Sequence, residues 1–305
     1  VRKAAFDMTY ETFSKYKNTI ASTYIGDIEA NVSLAKIYKF SSALEASLFN
    51  DDVNTKVYDK LIETVSNNLE PLYRYYEIKR KKLSLEQLHL YDTYVSIVNE
   101  STKEYTFEEA KEKVKKALSV LGEKYISDLD RAFTEKWIDI YNNKGKRSGA
   151  YSSGSYDTNP YLLLNFEGTL NDVSTLAHEL GHSMHSYYSR NNNNYQNSGY
   201  KIFVAEVAST VNELLLAFYN LKNAETTNEK LIILNDLLDL FKATIYRQTM
   251  FAEFEKIVHD KTENNVMLSA DDLNDIYYKL NQKYFGNDVD VDEQIKYEWA
   301  RIPHF

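Results

Sequence analysis

The chain has 305 residues, 43% hydrophobic and 27% charged, long enough to bury a sizeable core as one large domain or two moderate ones. Its 9 glycines and 3 prolines are too few for an all-β protein that turns every ten residues, and the absence of cysteine excludes disulfides and thiolate metal ligands. A formal charge of −9 argues against nucleic acid or an anionic membrane as partner.

No apolar run approaches the roughly 18 residues of a membrane span, and no signal-peptide pattern opens the chain. The missing thiols fit a reducing compartment, and the expected location is cytoplasmic. Val1 opens the chain inside a helical pattern and Phe305 closes it directly after RIPH, so both ends read as cut from a longer protein.

Residues 1–140 read as successive long helices. The first, TYETFSKYKNTIASTYIGDIEANVSLAKIYKF, carries Phe13, Tyr16, Ile20, Tyr24 and Ile28 at helical spacing. VYDKLIETVSNNLEPLYRYYEIKRKKL is another helical stretch that Pro71 breaks or restarts, and its KRKK run, Lys79 to Lys82, reads as a solvated face. TFEEAKEKVKKALSVLGEKYISDLDRAFTEKWIDIY opens on a Thr106 cap with two glutamates in the first turn. The pattern changes at residues 145–169, where Gly154, Asp157, Asn159 and Pro160 separate two short apolar segments, as in a β-hairpin or small sheet. Helix resumes at about residue 172. RNNNNYQNSGY at 190–200 reads as a polar loop, because four consecutive asparagines suit neither helix nor core. Helical patterns follow over 201–222, 227–260 and 269–284, and Gly286 with NDVDVDE marks another break.

Three of the six histidines fall in TLAHELGHSMHS. At about 100° per residue, Val173, Leu176, Ala177, Leu180, Met184 and Tyr187 form one stripe, while His178, His182 and His185 gather opposite it. Glu179 lies one step round from the histidine line. Imidazoles at i and i+4 can reach a single point, and nitrogen and oxygen ligands of this kind suit Zn2+. Glu179 then projects beside the metal, as in the HExxH arrangement of zinc metallopeptidases. The glycine that turns a metzincin chain back towards a third histidine is absent, so His185 is better placed to contact substrate or support the site than to ligate. Glu206, in KIFVAEVASTVNELLL, is the best third ligand if that helix folds back with Val204, Val207, Val211 and Leu214 towards the core. Glu213 shares its face and can accept a histidine N–H. Taken singly, Glu206 could equally be an exposed helix residue, and for Glu213 that is the stronger reading on spacing alone.

LNFEGTLNDVSTLAHELGHSMHS, IFVAEVASTVNELLL, IYRQTMFAEFE and YEWARIPHF, with SALEASLF and LHLYDTYVSIV earlier, resemble oligoendopeptidase F of the thimet-oligopeptidase-like zinc metallopeptidases over essentially the whole chain. The resemblance implies a mainly α, zincin-like fold with a small β-sheet beside the active-site helix and a deep channel. It implies one catalytic domain over 1–305, helical to about 144 and carrying hairpin and zinc site from about 145. The activity implied is endopeptidase cleavage of short peptides. His178, His182 and Glu206 match the ligands of one zinc ion and Glu179 matches the base. Gly149, Ala150, Tyr151 and Ser152 match the strand edge that binds peptide backbone, and His304 matches a histidine near the substrate carbonyl. The family's chain is longer before Val1 and continues past Phe305 into a tyrosine-rich helix. The alternative expectation is therefore a non-catalytic or impaired zinc-binding helical module. Cleavage preference and oligomeric state are not expected to be legible here.

Overall fold

The computed structural model describes residues 1–99 and 103–305. In chain order its elements are α1 (Arg2–Ile37), α2 (Ala43–Phe49), α3 (Thr55–Ser66), α4 (Glu70–Lys82), β1 (Leu88–His89), α5 (Phe107–Leu118), α6 (Glu123–Thr134), β2 (Ile138–Asp139), β3 (Tyr151–Ser153), β4 (Tyr161–Leu163), α7 (Leu170–Asn192), α8 (Ile202–Asn223), α9 (Thr227–Phe241), α10 (Arg247–Glu263), α11 (Ala270–Phe285) and β5 (Val289–Asp290). The mainly helical class with small sheets is as expected. The chain forms two compact units, Val1–Ile97 with Asn235–Phe305, and Val98–Leu234. The change of sequence character at residue 145 is therefore not where the units divide.

In the first unit, α1 contributes to two apolar clusters. Ala21, Tyr24, Ile28 and Val32 pack with Phe254, Tyr277 and Trp299, while Phe6 and Tyr10 join Tyr75, Leu88 and Ile295. Between those contacts Tyr16 stays exposed. Pro71 sits in the first turn of α4, where its missing N–H is no loss, so it restarts the helix rather than breaking one. The KRKK reading needs correction: Lys81 and Lys82 are solvated, but Lys79 is buried. Helical spacing places it three and four residues after the buried Tyr76 and Tyr75, on the core side. The pattern read over 227–260 is interrupted by a π-helical turn, Lys242–Tyr246.

In the second unit, α5 starts on a capping box in which Thr106 and Glu109 satisfy each other's backbone N–H groups. Gly122 then separates α5 from α6. The sheet order is β2-β4-β3; β4 runs antiparallel to β3, as the hairpin reading expected, and parallel to β2. Thr169 and Asp172 form a second capping box that opens α7. Gly168 precedes that cap at φ +92°, and a Cβ there would lie 2.8 Å from the Tyr105 carbonyl oxygen. Along α7, Val173, Leu176, Ala177, Leu180 and Met184 are buried with Trp137, Leu162 and Leu216, as the helical stripe predicts. Each such large apolar side chain contributes about 1.5–3 kcal/mol relative to exposure.

Two expectations fail in this unit. Asn191 and Asn192 belong to α7, because the amides of Asn191, Asn192 and Asn193 each donate to the carbonyl four residues earlier and so serve the helix end. On α8 the valines do not face the core: Val204, Val207 and Val211 are exposed, and Ala205, Ser209, Asn212, Leu216 and Asn220 form the buried line. Although its apolar run is broken by two glutamates, α8 is by length and composition long and apolar enough to cross a membrane.

Candidate functional site

α7 and α8 approach so closely that a Cβ on Gly181 would lie 2.6 Å from the Ser209 Cα and 2.7 Å from the Ala208 carbonyl oxygen. The glycine within HELGH is thus what lets α8 lie against the histidine-bearing helix, and small residues on the facing side of α8 complete the fit. Asn212 fixes the register by donating from Nδ2 to the Ala177 carbonyl at 3.0 Å.

This packing brings the expected side chains together. The Nε2 atoms of His178 and His182 are 3.1 Å apart, and Glu206 Oε2 lies 3.4 Å from the first and 3.3 Å from the second. On the far edge of its ring, His178 Nδ1 is 3.3 Å from Glu213 Oε2. With Nδ1 donating to Glu213, His178 turns the lone pair of Nε2 towards His182 and Glu206. The Ser209 hydroxyl donates to Glu206 Oε2 at 2.7 Å and steadies it. Ligand atoms of His178, His182 and Glu206 all lie within 4.8 Å of one another. Two imidazole nitrogens and a carboxylate oxygen are the three-ligand set of a catalytic zinc site with an open position. Three electron-rich atoms this close repel one another unless a cation sits among them, so the residues fit a metal.

Burial opposes charge on all three histidines. It pushes His182 and His185 down, whereas for His178 the hydrogen bond it donates to Glu213 and the nearby carboxylates outweigh burial and raise the pKa. Glu179 is buried one residue beyond His178, and burial pushes its carboxyl up, with His178 opposing. It meets the Ser152 backbone, while its Oε2 is buried without a hydrogen-bond partner.

β3 is an edge strand, bonded to β4 on one side. It is tied to α7 by the Ser152–Ser183 hydroxyl pair at 2.8 Å. Tyr151 is exposed on this strand. Gly149 and Ala150 precede the strand, and the Gly149 carbonyl accepts from Asn165 at 2.8 Å. His185 lies outside the ligand cluster, stacked on Tyr200 at 3.7 Å between centroids. His304 lies in the first unit, in the wall of a cavity with Tyr24, Glu255 and His259. Its neighbour Phe305 is packed against Tyr24, Phe251 and Phe254. Sequence reasoning missed Gly181, Ser209, Asn212, Ser183 and Tyr200. The glycine inside the histidine motif and the serine three residues after Glu206 were the available signals.

The chain is similar to known proteins over its whole length. Oligopeptidase PepF of Bacillus subtilis (strain 168) is 47% identical over 305 residues, covering 100% of this chain and 46% of its own. An oligoendopeptidase F homolog of Lactococcus lactis subsp. lactis (strain IL1403) is 41% identical, covering 100% and 51%. This chain therefore spans about half the length of the curated relatives it matches. A crystal structure from Chlamydophila abortus, 42% identical, matches with a TM-score of 0.89 over 100% of this chain and 51% of its own. Oligoendopeptidase-F from Enterococcus faecium, 37% identical, matches with a TM-score of 0.76 over 99% and 47%. The family pattern described as Peptidase family M3 matches residues 1–305 from end to end, and the chain belongs to that family.

Proposed function

We propose that His178, His182 and Glu206 hold one Zn2+ and that the centre serves a metallo-endopeptidase acting on short peptides. The observation that carries this reading is the convergence of the three ligand atoms beside a buried carboxylate with a free oxygen. Relatives named oligopeptidase and oligoendopeptidase support the substrate class. Zinc bound there supplies Lewis acidity, polarising a carbonyl and acidifying water.

The chain's own residues do the rest. Glu179 accepts the proton of the attacking water on its free Oε2 and returns it to the leaving amine. Glu213 holds the His178 ring in the tautomer that leaves Nε2 unprotonated, and Ser209 holds the Glu206 carboxylate. The open edge of β3 pairs with extended peptide backbone, with Tyr151 and Ser152 beside it.

Elemental analysis and a peptide assay test this together. Wild-type protein is expected to retain one zinc per chain and Glu206→Ala none. Glu179→Gln keeps the metal while hydrolysis falls by at least about 10²-fold. Equal zinc content in wild type and Glu206→Ala, or hydrolysis undiminished in Glu179→Gln, would overturn the assignment.

A further inference from the structure

A cavity of about 600 Å³ lies wholly within the first unit, walled by α4, the π-helical turn Lys242–Tyr246 and the start of α10. Tyr76, Met250 and Phe285 give it apolar faces, and Lys79, Lys242, Arg247 and Arg301 bring cations to it, Arg301 being paired with Glu298 at 2.7 Å. Turns of the π type collect at functional sites, because the extra residue redirects side chains out of the helical ladder.

The cations are not equivalent. Lys242 pairs with Asp239 at 2.5 Å, and Arg247 pairs with Glu298 at 2.9 Å. Lys79 is 2% exposed yet has no hydrogen bond or ion pair among the described residues; its ammonium lies over the Tyr75 ring, 5.6 Å from the centroid. Asp239 is already engaged, accepting from Tyr75, Lys242 and Asn235. Burial lowers the Lys79 pKa to about 8, with Asp239 opposing that fall and Lys242 adding to it, so the group is charged at neutral pH. An ammonium offers three donors and no acceptor, and that of Lys79, in the cavity wall, has no protein acceptor among the described residues to meet them.

We infer that this cavity binds an apolar carboxylic acid, whose carboxylate meets Lys79 and whose hydrocarbon or aromatic body lies against Tyr76, Met250 and Phe285. The C-terminal residue of a short peptide has this chemistry. A single free ammonium suits one negative charge. Asp236 and Asp239 in the same wall disfavour a multiply charged phosphate.

The test is calorimetric and is run with a chelator present, so that it does not depend on the metal centre. The probes are N-acetyl-phenylalanine, its C-terminal amide and inorganic phosphate. The acid is expected to bind about tenfold or more tightly than the amide, the scale of a hydrogen bond to a charged group, with phosphate giving no heat. Lys79→Met removes the preference for the acid, and Lys79→Arg keeps part of it. With methyl-labelled methionine, of which the chain has 4, the acid shifts the Met250 signal, a readout that needs no Lys79 variant. Equal affinity for acid and amide, saturable binding of phosphate, an unshifted Met250 signal, or a preference that survives in Lys79→Met would overturn the proposal.

Discussion

Glu298 in the first unit, 0% exposed, and Glu179 in the second, 6% exposed, are both carboxylates withdrawn from water. Their surroundings treat them oppositely. Four donors converge on Glu298: Tyr10 at 3.0 Å, Tyr277 at 2.7 Å, Arg247 at 2.9 Å and Arg301 at 2.7 Å. Glu179 meets the Ser152 backbone and keeps a buried oxygen with no partner. A carboxylate with both oxygens engaged, by donors of which two are cations, is held in its ionised form, which serves structure. One with an oxygen held open retains a place for a proton, which serves chemistry. Burial alone does not tell the two apart; the free oxygen does, and it is what the role proposed for Glu179 requires.

The largest expected effect falls on the filled carboxylate. Glu298→Ala leaves Arg247 and Arg301 facing each other without their shared counter-charge, and should cost about 3–5 kcal/mol in denaturant unfolding. Burial would push the Glu298 carboxyl up, but Arg247, Tyr277 and Arg301 together hold it below its usual value. Its stabilisation is therefore present above the unfolded pKa of about 4.3 and is lost as pH falls through the lower folded value. Glu179→Gln, by contrast, should leave the unfolding midpoint nearly unchanged. Equal losses of stability in the two variants would erase the distinction between them.

A smaller effect separates holding a metal from orienting its holder. Glu213 reaches only the outer nitrogen of His178, whereas Glu206 faces both inner nitrogens. Glu213→Ala should weaken zinc affinity by about 10–100-fold, against complete loss in Glu206→Ala. Competition with a chromophoric chelator measures both. Unchanged affinity in Glu213→Ala would mean that the His178 ring is held by packing alone.

What could be read from the sequence follows the same division. HELGH, with Glu206 and Glu213 downstream, was legible because metal chemistry restricts residue types and helical geometry restricts spacing. The orientation of α8 was not. Apolar periodicity pointed to Val204, Val207 and Val211 as the buried face, but the close approach at Gly181 admits only small or polar side chains, so Ala205, Ser209 and Asn212 face inward. Lys79 was misread for a related reason: a run of four basic residues looks uniform in sequence, while the helix sends one of them to the core. The asparagines at the end of α7 were misread because composition favours a loop, whereas their side chains bond back to the helix.

The smallest expected effect concerns a third acid that lies between the two cases. Glu255 borders the cavity that holds His259 and His304, and burial pushes its carboxyl up to about 7. No arginine or lysine offsets that push, unlike at Glu298. The sign follows from linkage. Below the unfolded pKa of about 4.3, Glu255 is protonated in both states and has no effect; between there and about 7 the unfolded chain ionises while the folded chain does not, so stability falls as pH rises. The open cavity lets water reach the group, which reduces the penalty to about 1–2 kcal/mol by pH 8. Glu255→Gln cannot ionise and should be the more stable protein by that amount at pH 8, with the advantage fading towards pH 5. Taking the difference between the two proteins cancels the contributions of the groups they share. A stability difference that stays flat from pH 5 to pH 8 would show that Glu255 is ionised in the folded chain throughout and that a partner compensates its burial, as the arginines do for Glu298.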